Sequence, residues 1–535
     1  MPQSPTSASE FVAQSPLLSM LREVQGSFTP ADGEQVANQL VKILRDYYVH
    51  LPLKKSSLGI DPVQEAHLLI DDIKIIPTQT EFNRRLFFMI KRLRDRHTAI
   101  RLPSPWRDMV AYLPFAIESY FDQTGRHVIV SKLMTDVGDP GFVPSAEITH
   151  WNGVAIGRYI ENFSWTNEGA NPFARIAVAL RSMTARPLGY MPAPEEDWVT
   201  VTYRGASGFR SVTVPWRVYI PPVGSAAAAA NITAAGSVAL FQGVDRSTLI
   251  VNNTWLDLYA GAATQSTAAK AELPNVVSKV VRTSTGEWGY VRVFSFDASD
   301  NGSFVTSFAR ILQQLPASGL IIDLRANPGG SIPAGEGLLG LFTKRKVTPQ
   351  PVSFRNTASM RRLGQLGAFQ SWRRSLDMQL ETGEIFSQGF SLTTDESGPR
   401  GVYLGPVVLI IDALCYSTTD FFSAGMQDNG LASIIGIDPV TGAGGANVWN
   451  HSTVAQFVSQ TGGGDLFPLP GGYDIDVSMR RSIRVGLNEG LPVEGLGVFA
   501  DVGYNPTKQD VLGSNDDLIE FAGRVLSGMK DTFRG

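Results

Sequence analysis

The sequence predicts an α/β protein: a sheet of mainly parallel strands covered by helices, preceded by a helical N-terminal module and a β-rich domain. Three observations predict it. From about Trp288 onward, short apolar runs alternate with segments whose apolar residues recur at helical spacing. Two of those runs, Leu320–Leu324 and Val407–Ile411, are dominated by Leu, Ile and Val without polar alternation, as strands buried on both faces are. The texture before them differs, with helical periods first and then strand-like runs separated by Gly and Pro.

In chain order, Gly33–Tyr48 and Glu81–Asp95 carry the helical period, the second through Phe82, Leu86, Ile90 and Leu93. They define a helical module over residues 1–108. Residues 109–220 hold the strand-like runs His127–Ser131 and Trp198–Tyr203, a β-rich domain. Residues 221–287 are read as a linker and the start of the core, because Gly224–Asn231 is of low complexity and follows Pro221-Pro222. The core spans 288–535. Its expected elements are a strand at Tyr290–Phe294, a helix at Phe304–Leu315 with Phe308 and Leu312 inward, and a strand at Leu320–Leu324. After an insertion at 348–399, rich in Arg, Ser and Gln, come a strand at Val407–Ile411 and a helix at Asp420–Gln427. A strand at Ser433–Ile437 follows the stop at Asn429-Gly430, and Asp516–Met529 closes the chain as a helix.

Composition bounds the function. At 535 residues the chain exceeds what one core fills. With 46 basic and 50 acidic residues the formal charge is −4, so no global field favours nucleic acid. The paired arginines Arg361-Arg362 and Arg373-Arg374 are read as a solvated face. The single cysteine, Cys415, excludes an internal disulfide and a Cys-based zinc cluster, and there is no His-Glu-x-x-His helix, so no metal or cofactor is expected. No stretch reaches the roughly 18 apolar residues of a membrane span. Met1–Ser7 is polar and unlike a secretory signal, so a cytoplasmic location is the expectation.

In parallel sheets, ligand sites lie beyond the carboxyl ends of strands, and two motifs fall there. The first is Asp323-Leu324-Arg325-Ala326-Asn327-Pro328-Gly329-Gly330; the second is Asp412-Ala413-Leu414-Cys415-Tyr416-Ser417-Thr418-Thr419-Asp420. Ser417 opens a helix, where unpaired N–H groups favour developing negative charge. The N–H of Thr418 and one from Gly329 or Gly330 could together bind a tetrahedral oxyanion. Ser417-Thr418-Thr419-Asp420 is equally a capping box, and this stretch alone is better explained as a helix cap. Cys415 is a rival nucleophile, better read as a small core residue.

A serine needs a base. No lysine lies between Lys346 and Lys508, so the local sequence offers no Ser-Lys dyad. Of the six histidines, His127 and His150 read as structural, and His50 and His67 flank helical segments without polar company. His97 lies where a helix hands over to a strand, and His451, after a glycine-rich turn, is its rival.

These residues carry a family resemblance. Leu320–Gly330, and Ser417–Gly430 leading into Ile434-Ile435-Gly436, resemble the catalytic core of the C-terminal processing (tail-specific) peptidases, serine proteases with a crotonase-like α/β core. Leu93-Arg94-Asp95-Arg96-His97-Thr98 is similar to the histidine motif of the branch containing tricorn protease and chlamydial protease-like activity factor. Pro144–Val154 resembles part of a PDZ-like domain, which makes 109–220 that domain.

The resemblance implies Ser417 as nucleophile and His97 as general base. It also implies a carboxylate near Glu-x-x-Gly-Val, which Glu494 in Glu494-Gly495-Leu496-Gly497-Val498 supplies, with Glu489 the nearest competitor. The better-known branch places a lysine after the glycine-rich turn; Gly442-Ala443-Gly444-Gly445 offers none, which agrees with the His-dependent branch. The implied activity is a serine endopeptidase acting on an extended polypeptide through an acyl-enzyme, and a homodimer is among the assemblies the branch allows. Two alternatives stand beside it. One is a noncatalytic apolar-ligand binder of the same fold, like the retinoid-binding modules. The other is an amide or ester hydrolase, or cyclase, dedicated to a small peptide-like metabolite.

Overall fold

The computed structural model describes residues 8–21, 28–76, 78–205, 208–219, 273, 275–392 and 398–533. The low-complexity stretch Gly224–Asn231 lies outside these residues.

A six-stranded sheet carries the core. Its strands run in the order Val276–Thr283, Gly286–Val293, Leu320–Asp323, Val407–Ile411, Ser433–Gly436 and Val502–Gly503. The first pair is an antiparallel hairpin, and every later pairing is parallel. Parallel neighbours need crossovers, and helices supply them: Asn301–Gln313 before the third strand, Ile332–Leu339 after it, and Thr418–Asp428 between the fourth and fifth. Phe308, Leu312, Leu338, Leu409 and Phe422 pack on one face of the sheet. The terminal helix Asp516–Phe533 covers the other, setting Leu518, Ala522 and Leu526 against Ile321, Val408 and Ile410. Coverage on both faces is why these strands read as unbroken apolar runs.

The N-terminal helices Pro30–Asp46, Leu51–Leu58, Pro62–Asp72 and Gln79–Lys91 do not close a core of their own. Val36, Leu40, Leu44, Leu86 and Ile90 share one cluster with Ile475, Val477 and Met479 from the distant strand Asp474–Ser482. The 348–399 insertion joins the same cluster through Phe354, Met360, Leu363, Phe369 and Trp372. Asp474–Ser482 pairs antiparallel with Ala99–Arg101, with Pro351–Phe354 and with Ala446–Asn450, so segments from both chain halves form one sheet. That sheet fixes the strand leaving His97.

The β-rich region is an antiparallel sheet of Phe115–Asp122, Gly125–Leu133, Glu147–Trp151, Val154–Ala155, Trp198–Gly205 and Gly208–Pro215, with helices Ile156–Ser164 and Pro172–Ser182. Phe115, Phe142, Trp151, Tyr203 and Trp216 fill its interior. Among the described residues no helix is long and apolar enough to cross a membrane.

Candidate active site

Two loops leave the carboxyl ends of the neighbouring strands Leu320–Asp323 and Val407–Ile411 and are tied together. The Asp412 carboxylate accepts the Ala326 N–H at 2.9 and 2.8 Å and, within its own loop, the N–H groups of Leu414 and Cys415 at 3.0 and 2.9 Å. The Asn327 carbonyl accepts from the Tyr416 N–H at 3.0 Å and the Thr419 hydroxyl at 3.1 Å, and the Gly330 carbonyl accepts the Thr418 hydroxyl at 2.6 Å. No side chain fits where the loops cross. A Cβ on Gly330 would lie 2.1 Å from the Phe296 carbonyl carbon, and one on Gly329 would lie 2.7 Å from the Ser417 Cβ and 2.9 Å from the Thr418 nitrogen.

Ser417 occupies the N-cap position of Thr418–Asp428 but does not cap it. Its backbone is at φ 61°, ψ −122°, and its side chain makes no capping hydrogen bond. A residue bearing a Cβ is strained there, by about 1–3 kcal/mol. Half of the expected capping box exists, since Asp420 accepts the Ser417 N–H. The serine half is missing, so the helix-cap expectation is corrected: the Ser417 hydroxyl leaves the helix start uncapped. Asp420 also accepts the Gly444 N–H at 2.9 Å and the Ala443 N–H at 3.2 Å, and with the Thr441 hydroxyl this folds the glycine-rich turn over the helix start.

The oxyanion donors named from sequence separate. Gly329 already gives its N–H to Asn327 Oδ1 at 2.9 Å, so its contribution is the absence of a side chain rather than a free donor. Thr418 N lies at the first turn of the helix, beside Gly329. Cys415 is fully buried and donates its Sγ–H to the Leu324 carbonyl at 3.1 Å, and burial pushes its thiol well above the ordinary value. A thiol held protonated is no nucleophile, which removes that rival.

His97 arrives from the opposite side of the sequence. Helix Gln79–Lys91 ends in a turn where Arg94 is left-handed at φ 50°, and Asp95 Oδ1 accepts the His97 N–H at 2.8 Å. The His97 ring lies 4.5 Å from the Tyr416 ring, centroid to centroid, and the Arg96 guanidinium packs on Tyr416 at 4.7 Å. The Arg96 N–H donates to the Tyr416 hydroxyl at 3.1 Å. Tyr416, the residue before Ser417, therefore joins the histidine turn to the serine turn. His97 is 1% exposed, and neither ring nitrogen has a hydrogen-bond partner. Burial lowers its pKa to about 4, against the pull of Asp95, so the imidazole is neutral at neutral pH. The rival His451 is engaged with Gln39 Oε1 at 2.9 Å.

Glu494 is 2% exposed, whereas Glu489 is exposed in its turn. Glu494 does not reach His97. Its Oε1 accepts from Lys54 Nζ at 2.6 Å, and its Oε2 lies 3.8 Å from His50 Nε2. Burial pushes Glu494 up to about 8, with Lys54 acting in the opposite direction. The expectation that His50 lacks polar company is thus corrected. It sits in a buried cluster with Lys54, Asp95 and Glu494, and burial lowers it to about 3. His50, Asp95 and Glu494 place one ligand atom each within 4.8 Å of one another, but the Lys54 ammonium already occupies the cationic role there.

Sequence reading missed Lys54, Asp95 and Tyr416. Asp95 and Tyr416 were visible as immediate neighbours of the nominated His97 and Ser417. Lys54 carried no local signal.

Residues 287–464, which contain both loops and the helix opened by Ser417, match the sequence model of peptidase family S41. The match covers about a third of the chain and holds the strands, loops and helix that build the site. The match supports a serine peptidase, the class of enzyme that acts on polypeptides. A Chlamydia pneumoniae protein is 23% identical over 585 residues, covering 92% of this chain and 89% of its own length. Among solved structures, mature CPAF superposes with a TM-score of 0.65 at 18% identity, covering 93% of this chain and 98% of its own. Mature CPAF complexed with lactacystin gives 0.64 at 18% identity, covering 93% and 99%. These likenesses establish the fold that surrounds the S41 core.

Proposed function

We propose that this chain is a serine endopeptidase working through an acyl-enzyme, with Ser417 as nucleophile, His97 as general base and acid, and Glu494 as the carboxylate of the triad. The observation that carries the reading is the strained, uncapped Ser417 turn joined through Tyr416 to a buried neutral histidine with both nitrogens unpartnered. A satisfied core histidine would have bonded at least one of them.

In this mechanism Ser417 Oγ attacks the scissile carbonyl carbon while His97 takes its proton. The carbonyl oxygen becomes an oxyanion beside the helix start at Thr418, where the dipole and the first-turn N–H groups stabilise it. The tetrahedral species collapses, the C–N bond breaks, and the imidazolium returns its proton to the leaving amine. Water then enters and attacks the ester carbonyl as His97 removes its proton, and when the C–Oγ bond breaks the imidazolium returns that proton to Ser417 Oγ. Asp95 fixes the His97 backbone throughout. Burial, and after it the Glu494 carboxylate, raises the pKa of the Tyr416 phenol that packs beside His97.

The test is labelling with a fluorophosphonate probe. Wild type labels; Ser417→Ala and His97→Ala do not, and Glu494→Ala labels slowly. Labelling that survives Ser417→Ala overturns the nucleophile. Loss in His451→Ala with retention in His97→Ala overturns the base.

A further inference from the structure

Lys54 lies on the helix Leu51–Leu58, far in sequence from every residue assigned a role above. It is 4% exposed, and its ammonium makes two contacts of unlike purpose. One is to Glu494 Oε1 at 2.6 Å; the other, at 3.1 Å, is to the carbonyl of Arg94, the left-handed residue that starts the turn delivering Asp95 and His97. A single buried cation therefore pins the carboxylate's turn to the histidine's turn. The Glu494 turn is closed from the other side as well, since a Cβ on Gly445 would lie 2.4 Å from the Glu494 nitrogen.

An ammonium is costly to bury unless paired. Surface ion pairs elsewhere in this chain, such as Arg282 with Glu287, carry no such cost and fix nothing. The groups facing Glu494 are Lys54, His50, Asp95, Tyr416 and Asp420. His50 is neutral and two of the others are acids, so among the described residues Lys54 is the cation that holds this carboxylate.

We propose that Lys54 is a positioning residue of the peptidase site: its ammonium clamps Glu494 against the turn that carries His97. The inference rests on the Ser417, His97 and Glu494 reading.

The experiment measures the rate of fluorophosphonate labelling against probe concentration and pH for wild type, Lys54→Met, Lys54→Arg, Glu494→Gln and the double variant Lys54→Met with Glu494→Gln. Lys54→Met is expected to lower the maximal rate about tenfold or more, with the half-saturating probe concentration unchanged within about twofold. The midpoint of the alkaline rise in rate should move up by about one pH unit, because removing a cation raises a carboxylate's pKa. Lys54→Arg should recover most of the rate and the original midpoint. The double variant, which leaves no unpaired buried carboxylate, secures folding and should be no slower than Glu494→Gln alone. Labelling of Lys54→Met within about threefold of wild type at an unmoved midpoint overturns the proposal. So do additive losses in the double variant. Normal labelling of His97→Ala with none in Lys54→Met also overturns it, by making Lys54 the base. Failure of the underlying reading is separate, since it shows as labelling in Ser417→Ala whatever Lys54 does.

Discussion

Gly444→Ala is a sharp perturbation of the site because it touches none of the reacting groups. Gly444 has no positive φ, so an alanine costs nothing in backbone strain there. The added Cβ, however, would lie 2.5, 2.6 and 2.7 Å from three carbons of the Tyr416 ring. Ordinary carbon contacts are about 3.5–4.0 Å, so the ring or the turn must shift by about 1 Å. The ring has little room. It is fully buried, with His97 at 4.5 Å and the Arg96 guanidinium at 4.7 Å. Overpacking of this kind costs about 1–3 kcal/mol of stability. A displacement of about 1 Å at residues adjoining Ser417 and His97 costs about a hundredfold in rate. The assay pairs urea unfolding with the fluorophosphonate labelling rate. Gly157→Ala, in a helix where an added Cβ meets nothing within 4 Å, is the control and should label as wild type does. If Gly444→Ala labels within threefold of that control, Tyr416 does not couple the two turns and the reasoning fails.

Ser417→Gly should unfold at higher denaturant than Ser417→Ala, by about 1 kcal/mol or more, since glycine relieves the φ 61° strain and both variants are inactive; equal midpoints would show that the turn is not strained. Asp323 is buried beneath Arg292 and Arg325, which hold its carboxyl well below the usual range against the cost of burial. Its stabilisation is present above the unfolded carboxylate pKa and is lost as pH falls towards the depressed folded value. Asp323→Asn should therefore destabilise by about 3–5 kcal/mol at pH 7, with the gap to wild type narrowing in acid, as urea melts at several pH values will show. His97 and His451, each lowered to about 4 by burial, favour the folded state above pH 6.5 and withdraw that support as pH falls from 6.5 to 4. Replacing His451 by Gln, which cannot be charged, should flatten the acid loss of stability in that window; an unchanged slope would mean that His451 is not held neutral.

Much of the core was legible because its signals are local. Val407–Ile411 is a strand over the residues expected, and the helix read as Asp420–Gln427 is Thr418–Asp428. Burial on both faces writes itself into consecutive residues. The helix read as Glu81–Asp95 stops earlier, at Lys91, because Arg94 takes a left-handed turn that no periodicity announces. The insertion 348–399 is structured rather than a bare interruption, since Trp372 donates its indole N–H to the Val352 carbonyl and Phe369 and Leu376 are buried with it. Its apolar residues were visible; the partner surface they cover was not.

At the site, the sequence by itself nominated Ser417, His97, Glu494 and the glycine pair, because strand ends, a helix start and a family-like motif are all short-range patterns. Tertiary structure alone decided which partners each of them meets. Lys54 and Glu494 are 440 positions apart, and nothing near either residue signals the other. The same is true of Arg96 and the Tyr416 hydroxyl, 320 positions apart. Whether Ser417 caps its helix, whether Gly329 keeps its N–H free and which carboxylate faces which cation are questions of hydrogen-bond competition among buried groups. Burial makes each unmade bond expensive, so the outcome depends on every partner the fold brings within about 3 Å, and a linear sequence does not contain that list.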